Sequence, residues 1–139
     1  MAVLVLTDAH VSINSVDLSD HVRSVTLEYE AEILDKSAMG VGSTRTHIAG
    51  LLNWSVQVEF NQDFANGEVD STLFGLMGAA AFPIAIRPVK SSGISTSNPE
   101  YQGDAVLESY TPLGNSVGEL ATTPAQFRAA SALVRDTSA

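Results

Sequence analysis

From Leu52 to Phe60 large apolar and polar residues alternate. Leu52, Trp54, Val56, Val58 and Phe60 fall on one pleat face and Asn53, Ser55, Gln57 and Glu59 on the other, the pattern of a half-buried strand. Ser24 to Glu30 repeats the design, with Val25, Leu27 and Tyr29 opposing Ser24, Thr26, Glu28 and Glu30. Phe82, Ile84 and Ile86 make a third strand, in which Pro83 has no N–H for a ladder and so marks an edge position or a strand start. Shorter strands are expected at Val11 to Ile13, Ala105 to Tyr110 and Ala125 to Ala129.

One segment changes period. Between Glu68 and Met77 the residues Val69, Leu73, Leu76 and Met77 stand at helical spacing, with Glu68 and Asp70 in the first turn, Asn66 as a candidate cap and Gly78 as a stop. Strands, then a single helix, then strands predict a mainly β fold. It is an antiparallel β-sandwich or partly open barrel with one flanking α-helix and a long inter-strand loop.

That loop is the stretch of 20 residues from Ala31 to Gly50, which has no sustained period. It carries Met39, Gly40, Gly42, Thr44, Arg45 and His47, and its sparse apolar residues Ile33, Leu34 and Met39 are too few for a core. The loop is either a docking element or a surface excursion. Ser91 to Pro99 is rich in Ser and Gly and reads as a flexible connector. Arg135 to Ala139 reads as a frayed end.

Composition narrows the function classes. A chain of 139 residues with 45% hydrophobic and 17% charged positions is the size and make-up of one globular domain, taken here as residues 1–139. Its 16 acidic and 7 basic residues give a net charge of −9, a sign that argues against a grip on phosphate and for a surface that repels DNA. There is no cysteine, so disulfides and thiolate chemistry are excluded. Ala2 to Leu6 is apolar but stops at Thr7-Asp8, too short for a membrane span and without the basic flank of a signal peptide. The sequon Asn53-Trp54-Ser55 lies inside the best strand, where glycosylation has no room.

No motif with the spacing of an active site is present, and neither cofactor nor metal is expected. His10, His21 and His47 are far apart in sequence. Asp17, Asp20 and His21 stand close enough to suggest a divalent ion, but turn hydrogen bonds around Leu18-Ser19 are the simpler expectation for the two carboxylates. Met39-Gly40-Val41-Gly42 lacks the further glycine, helix and Lys of a phosphate cradle. Glu28, Glu30, Glu32 and Asp35 lack the loop geometry of a calcium site, and on a strand Glu28 and Glu30 form an outward acidic stripe. Trp54 and Tyr29 belong to apolar strand faces, which favours core packing over a sugar-stacking platform. An enzyme would need titratable groups that converge from distant segments.

The order of segments carries more than any one residue. Ser15-Val16-Asp17-Leu18-Ser19-Asp20 precedes a strand; a Gly- and Thr-bearing loop ends in Ala49-Gly50-Leu51; Trp54-Ser55-Val56-Gln57-Val58-Glu59-Phe60-Asn61-Gln62-Asp63-Phe64 follows. The helix from Val69 to Met77, the strand from Phe82 to Pro88, Asn98-Pro99-Glu100-Tyr101-Gln102-Gly103, Glu108-Ser109-Tyr110-Thr111-Pro112 and Gly118-Glu119-Leu120-Ala121 complete the series. Over nearly its whole length the chain resembles the major tail proteins, or tail tube proteins, of siphophages, the long-tailed non-contractile bacteriophages. The resemblance implies a two-sheet β fold with one helix; the last predicted strand falls close to the end of the sequence, so the appended immunoglobulin-like domain that some members of the family carry is not expected. Six copies form a ring, and rings stack into a tube through which DNA passes at ejection. It implies a virion protein made in the host cytoplasm, not an enzyme. Its partners are further copies of itself and the tape-measure, tail terminator and distal tail or baseplate proteins, with no membrane and no specific hold on DNA. Ile33, Leu34, Met39, Thr44 and Arg45 become candidates for contact between rings, and Glu28, Glu30 and Glu59 candidates for the lumen. A tail terminator, a contractile-tail or secretion-system tube, and a monomeric β-sandwich binding module remain as alternatives.

Overall fold

The computed structural model describes residues 8–39, 42 and 44–138. Eight strands form a single antiparallel sheet: β1 (His10–Ile13), β2 (Val16–Asp17), β3 (Val22–Asp35), β4 (His47–Asn61), β5 (Phe82–Arg87), β6 (Glu100–Tyr110), β7 (Thr122–Ala129) and β8 (Val134–Asp136). A 3-10 turn, Ser19–His21, precedes β3, and the helix α1 (Val69–Phe74) follows β4. The sheet order is β2-β1-β5-β6-β7-β4-β3, with β8 on the part of β6 that β7 does not reach.

The period-two residues explain why this sheet curls. Trp54, Val56, Val58 and Phe60 of β4 are buried, as are Phe82, Ile84 and Ile86 of β5, Ala125 and Phe127 of β7, and Val11 and Ile13 of β1. Residues from both halves of the sheet therefore enter one core, closed by Leu18 and by Val69, Leu73 and Leu76. Phe82 meets Phe127 edge to face at 5.9 Å between ring centres, a favoured aromatic geometry. A shallow groove lined by Val25, Leu27, Ile86 and Tyr101 marks where the β3 end of the sheet turns back toward β5. β3 does not pair with β2. Of the expected architectures the partly open barrel describes this sheet better than two packed sheets.

Several expectations change. β5 lies between β1 and β6, so Pro83 is not at an edge; it is the second residue of β5, beyond the last β1 pair, Ile13 with Ile84, and its carbonyl accepts from the Asn14 N–H. α1 is shorter than Glu68 to Met77, and Glu68 rather than Asn66 takes the cap position, without a side-chain hydrogen bond. Gly78 has φ +76, the left-handed conformation that ends such a segment. The Ser91 to Pro99 segment is anchored: buried Asn98 donates from Nδ2 to the carbonyls of Val89, Ser92 and Gly93 and accepts from the Val89 N–H. Arg135 and Asp136 are not frayed but belong to β8. Ala2 to Thr7, Gly40, Val41 and Ala139 lie outside the described residues.

At the end of β6 Tyr110 ties three segments together, donating to Asp70 Oδ1 at 2.8 Å and accepting from Gln62 Nε2 at 3.1 Å. Burial pushes its pKa up from 10.0 to about 12. A raised folded pKa favours the neutral phenol, so this contribution to stability is complete below pH 10.0 and is lost as pH rises through about 12. Urea unfolding between these limits is expected to show a steeper loss of stability in the wild type than in Tyr110→Phe. Parallel curves would refute the role given to the hydroxyl.

Candidate assembly surface

The segment read as a 20-residue loop is largely a β-hairpin. β3 and β4 stay paired out to Asp35 with His47, leaving a connection of residues 36–46. The period vanishes there for a physical reason. β7 pairs β4 only from Ser55 to Asn61, so among the described residues the earlier part of β4 pairs with β3 alone, and beyond Trp54 the hairpin projects as a two-stranded arm with neither face on the core. Between Ala31 and Ile33 a bulge adds one residue to β4, which reverses its parity. Leu52, opposite Ala31, and Ile33, opposite Ala49, share one face; Leu34 and its partner Ile48 share the other.

Ile33, Leu34, Ile48 and Leu52 are exposed, as is Leu51, Ile33 at 61% and Leu51 at 80%. Tyr29, expected in the core with Trp54, is 56% exposed, because it sits where the arm leaves the body while Trp54 opposite is covered. The Trp54 indole N–H donates to the Ser131 carbonyl at 2.8 Å. At the tip Met39 and Thr44 are exposed, and Arg45 Nη1 lies 2.8 Å from Asp35 Oδ2. Hydrogen bonds from Ser37, with Arg45 beside it, hold the Asp35 carboxyl below its usual pKa. The five arm candidates thus lie together on one projecting element, joined by Ile48, Leu51 and Leu52. Leu52, expected on the buried face with Trp54 to Phe60, is 63% exposed because it lies beyond the end of β7 on the arm, and the sequence gives Ile48 and Leu51 no role; runs of apolar residues on a strand with no polar alternate are the signal that marks them.

Glu28 and Glu30 pair with Ser55 and Asn53 on the face turned away from the core, and Glu59 alternates with buried Val58 and Phe60. Asn53 Nδ2 donates to Glu30 at 3.3 Å, Arg23 Nη1 lies 3.8 Å from Glu59, and on neighbouring β7 Arg128 binds Glu108 at 2.6 Å. Glu108, then Glu30 and Glu28, raise the Arg128 pKa. The three lumen candidates therefore share the outer sheet face.

A second apolar surface lies at the other end of the sheet. Asn61 pairs with Thr122 and the Gln62 N–H donates to the Ala121 carbonyl, so the β6–β7 loop sits at the end remote from the arm tip. Leu113, Val117 and Leu120 of that loop, together with Phe64, are exposed. Sequence reasoning gave these residues no part.

Asp17 makes the expected turn, accepting from the Ser19 N–H at 2.9 Å; although burial opposes it, bonds from Ser19 and Lys90 hold the carboxyl at about 2. Asp20 and His21 do not gather around it. His21 Nδ1 contacts Asp20 at 2.9 Å and Nε2 faces Asp63 at 2.9 Å. Burial works against the charged imidazolium, but the hydrogen bonds to Asp63 and Asp20 outweigh it and raise the His21 pKa.

No protein-family model and no curated protein sequence matches the chain. Solved structures do. A chain from the virion of a native gene transfer agent particle aligns with a TM-score of 0.75 at 15% identity, covering 97% of this chain and 100% of that one. A chain from the tail of an empty gene transfer agent particle, C6 symmetry, gives 0.67 at 15% identity over 84% and 83%. A third, from the sheath/tube terminator of the PVC extracellular contractile injection system, gives 0.75 at 13% identity over 99% of each. The fold is thus one found in tails of phage-like particles and in contractile injection systems.

Proposed function

We propose that this protein is a non-enzymatic structural subunit of a tail tube, in which copies form sixfold rings that stack into a hollow conduit. The carrying observation is the two-stranded arm, apolar on both faces and without cover in the single chain. An isolated hairpin is marginal in water, and an exposed apolar patch of this kind marks an interaction surface. The structural neighbours support the reading, one coming from a tail of C6 symmetry.

The two apolar surfaces lie at opposite ends and differ in residues, as head-to-tail contacts require. At the arm Lys36 and Arg45 stand with Glu32 and Asp35, whereas Asp63, Glu68, Asp70 and Glu119 make the remote end acidic. Ile33, Leu34, Met39, Thr44 and Arg45 are thus assigned to contact between rings. The outer stripe of Glu28, Glu30 and Glu59 is assigned to the lumen, where like charge lets DNA slide without binding. A tube reconstruction with all three carboxylates on the outer surface or in subunit contacts would overturn the lumen assignment.

The segment order described above favours a long non-contractile tail, placing the protein in a virion with tape-measure, terminator and distal tail proteins as neighbours. The likeness to the chain from a contractile system's sheath/tube terminator supports a second reading as a tube-end protein. Negative-stain electron microscopy of the concentrated protein separates them. Uniform hollow tubes are expected of a tube subunit; rings that never stack indicate the tube-end protein; monomers at every concentration, with or without an added tail initiator, would refute self-assembly.

A further inference from the structure

His21 lies at the end of the 3-10 turn before β3, Asp63 in the loop after β4, and Glu68 at the start of α1. The fold brings them together: Nε2 of His21 is 2.9 Å from Asp63 Oδ2 and 3.5 Å from Glu68 Oε2, and the three ligand atoms all lie within 4.8 Å of one another. We propose that these three side chains form a site for a divalent transition metal ion, with zinc as the best-suited cation.

Three features of the cluster support this. First, ligand atoms bound tetrahedrally at about 2.0–2.1 Å from zinc stand roughly 3.3 Å apart, and the two contacts to Nε2 bracket that spacing. Second, the imidazole is oriented from behind. Its Nδ1–H points at Asp20 Oδ1, 2.9 Å away, the carboxylate–histidine arrangement that fixes a metal-binding tautomer and directs the other nitrogen at the ion. Third, the carboxylates are available. Asp63 uses Oδ1 to accept from the Ala65 N–H, leaving Oδ2 for the site, and among the described residues the Glu68 carboxylate has no hydrogen-bond partner.

The donor set selects the ion. An imidazole with two carboxylates suits zinc and its transition-metal neighbours, whereas calcium and magnesium prefer oxygen-only shells. Three protein ligands leave a fourth position for water. Binding displaces the proton on Nε2 to solvent, and the cation then offsets the charges of Asp63, Glu68 and Asp20. The ion would clamp the segment before β3, the loop after β4 and the start of α1. This proposal stands independently of tube assembly, since all its ligands belong to one chain.

The test is isothermal titration calorimetry of zinc chloride into the untagged full chain after chelator treatment, with Glu68→Gln and Asp20→Asn alongside. Glu68 is partly exposed at a helix start, so its variant should fold, with circular dichroism as the check. The expected result is saturable binding of one zinc per chain, lost in Glu68→Gln and weakened about 10–100-fold in Asp20→Asn, where only the orienting partner changes. A wild type without saturable binding, or binding that Glu68→Gln leaves unchanged, overturns the proposal.

Discussion

Deleting Lys36 to Arg45 is expected to leave a folded monomer that no longer forms tubes. The cut is structurally mild. It leaves Asp35, Thr46 and His47 as a three-residue connection between the paired Leu34 and Ile48, a length that antiparallel hairpins accept. None of the described residues that the cut removes belongs to the core, so the monomer should unfold at nearly the wild-type urea concentration. Assembly should be lost outright, because Met39, Thr44 and Arg45 disappear together and the defect recurs at every subunit of every ring. A point variant separates contact from reach. Ile33 is exposed, so Ile33→Lys should change monomer stability by no more than about 0.5 kcal/mol, yet it places an unpaired charge where the arm would be buried by a neighbour. Sedimentation and electron microscopy of both variants give the answer. Tubes of normal length from the deletion would remove the arm from the assembly mechanism.

The body of the fold was legible in the sequence and the arm was not, for one physical reason. Period two is a record of one buried face. Trp54 to Phe60, Val25 to Leu27 and Phe82 to Ile86 keep it because one side of each strand meets the core. Past Leu52 β4 has only β3 beside it, and the bulge reverses the parity of β4, so Ile33, Leu34, Ile48 and Leu51 follow no alternation and read as a loop. A neighbouring copy, not the chain itself, would restore the buried face. β2 was missed because its turn, Asn14-Ser15, adopts φ +50 and +67 without the glycine that usually announces such a hairpin. The His21, Asp63 and Glu68 cluster was equally hidden. Asp17 and Asp20 stand nearer to His21 in sequence, but the strand pairing of Val22 with Phe60 delivers Asp63 to the imidazole from a segment with no motif of its own.

Gly103→Ala is expected to destabilise the monomer by about 1–3 kcal/mol, the usual cost of overpacking. Gly103 lies in β6 opposite Ile84 and its φ is not left-handed, so the demand is for space rather than backbone freedom. A Cβ there would stand 2.6 Å from Trp54 Cζ2, 3.2 Å from Cη2 and 3.3 Å from the Ala132 carbonyl oxygen. A flexible side chain would swing away. Trp54 has little freedom to do so: it is 2% exposed, and its indole N–H is bonded to the Ser131 carbonyl at 2.8 Å. Relief therefore requires moving the β7–β8 connection or opening β6, and either breaks contacts. Trp54 is also the last buried residue of β4 before the arm, so displacing it loosens the root of the arm as well as the core. A double-mutant cycle tests the pairing directly. In a Trp54→Phe background, where the second ring and the N–H are gone, Gly103→Ala should cost much less than in the wild type, as read from urea midpoints at constant slope. Equal costs in both backgrounds would show that the glycine answers to something other than the indole.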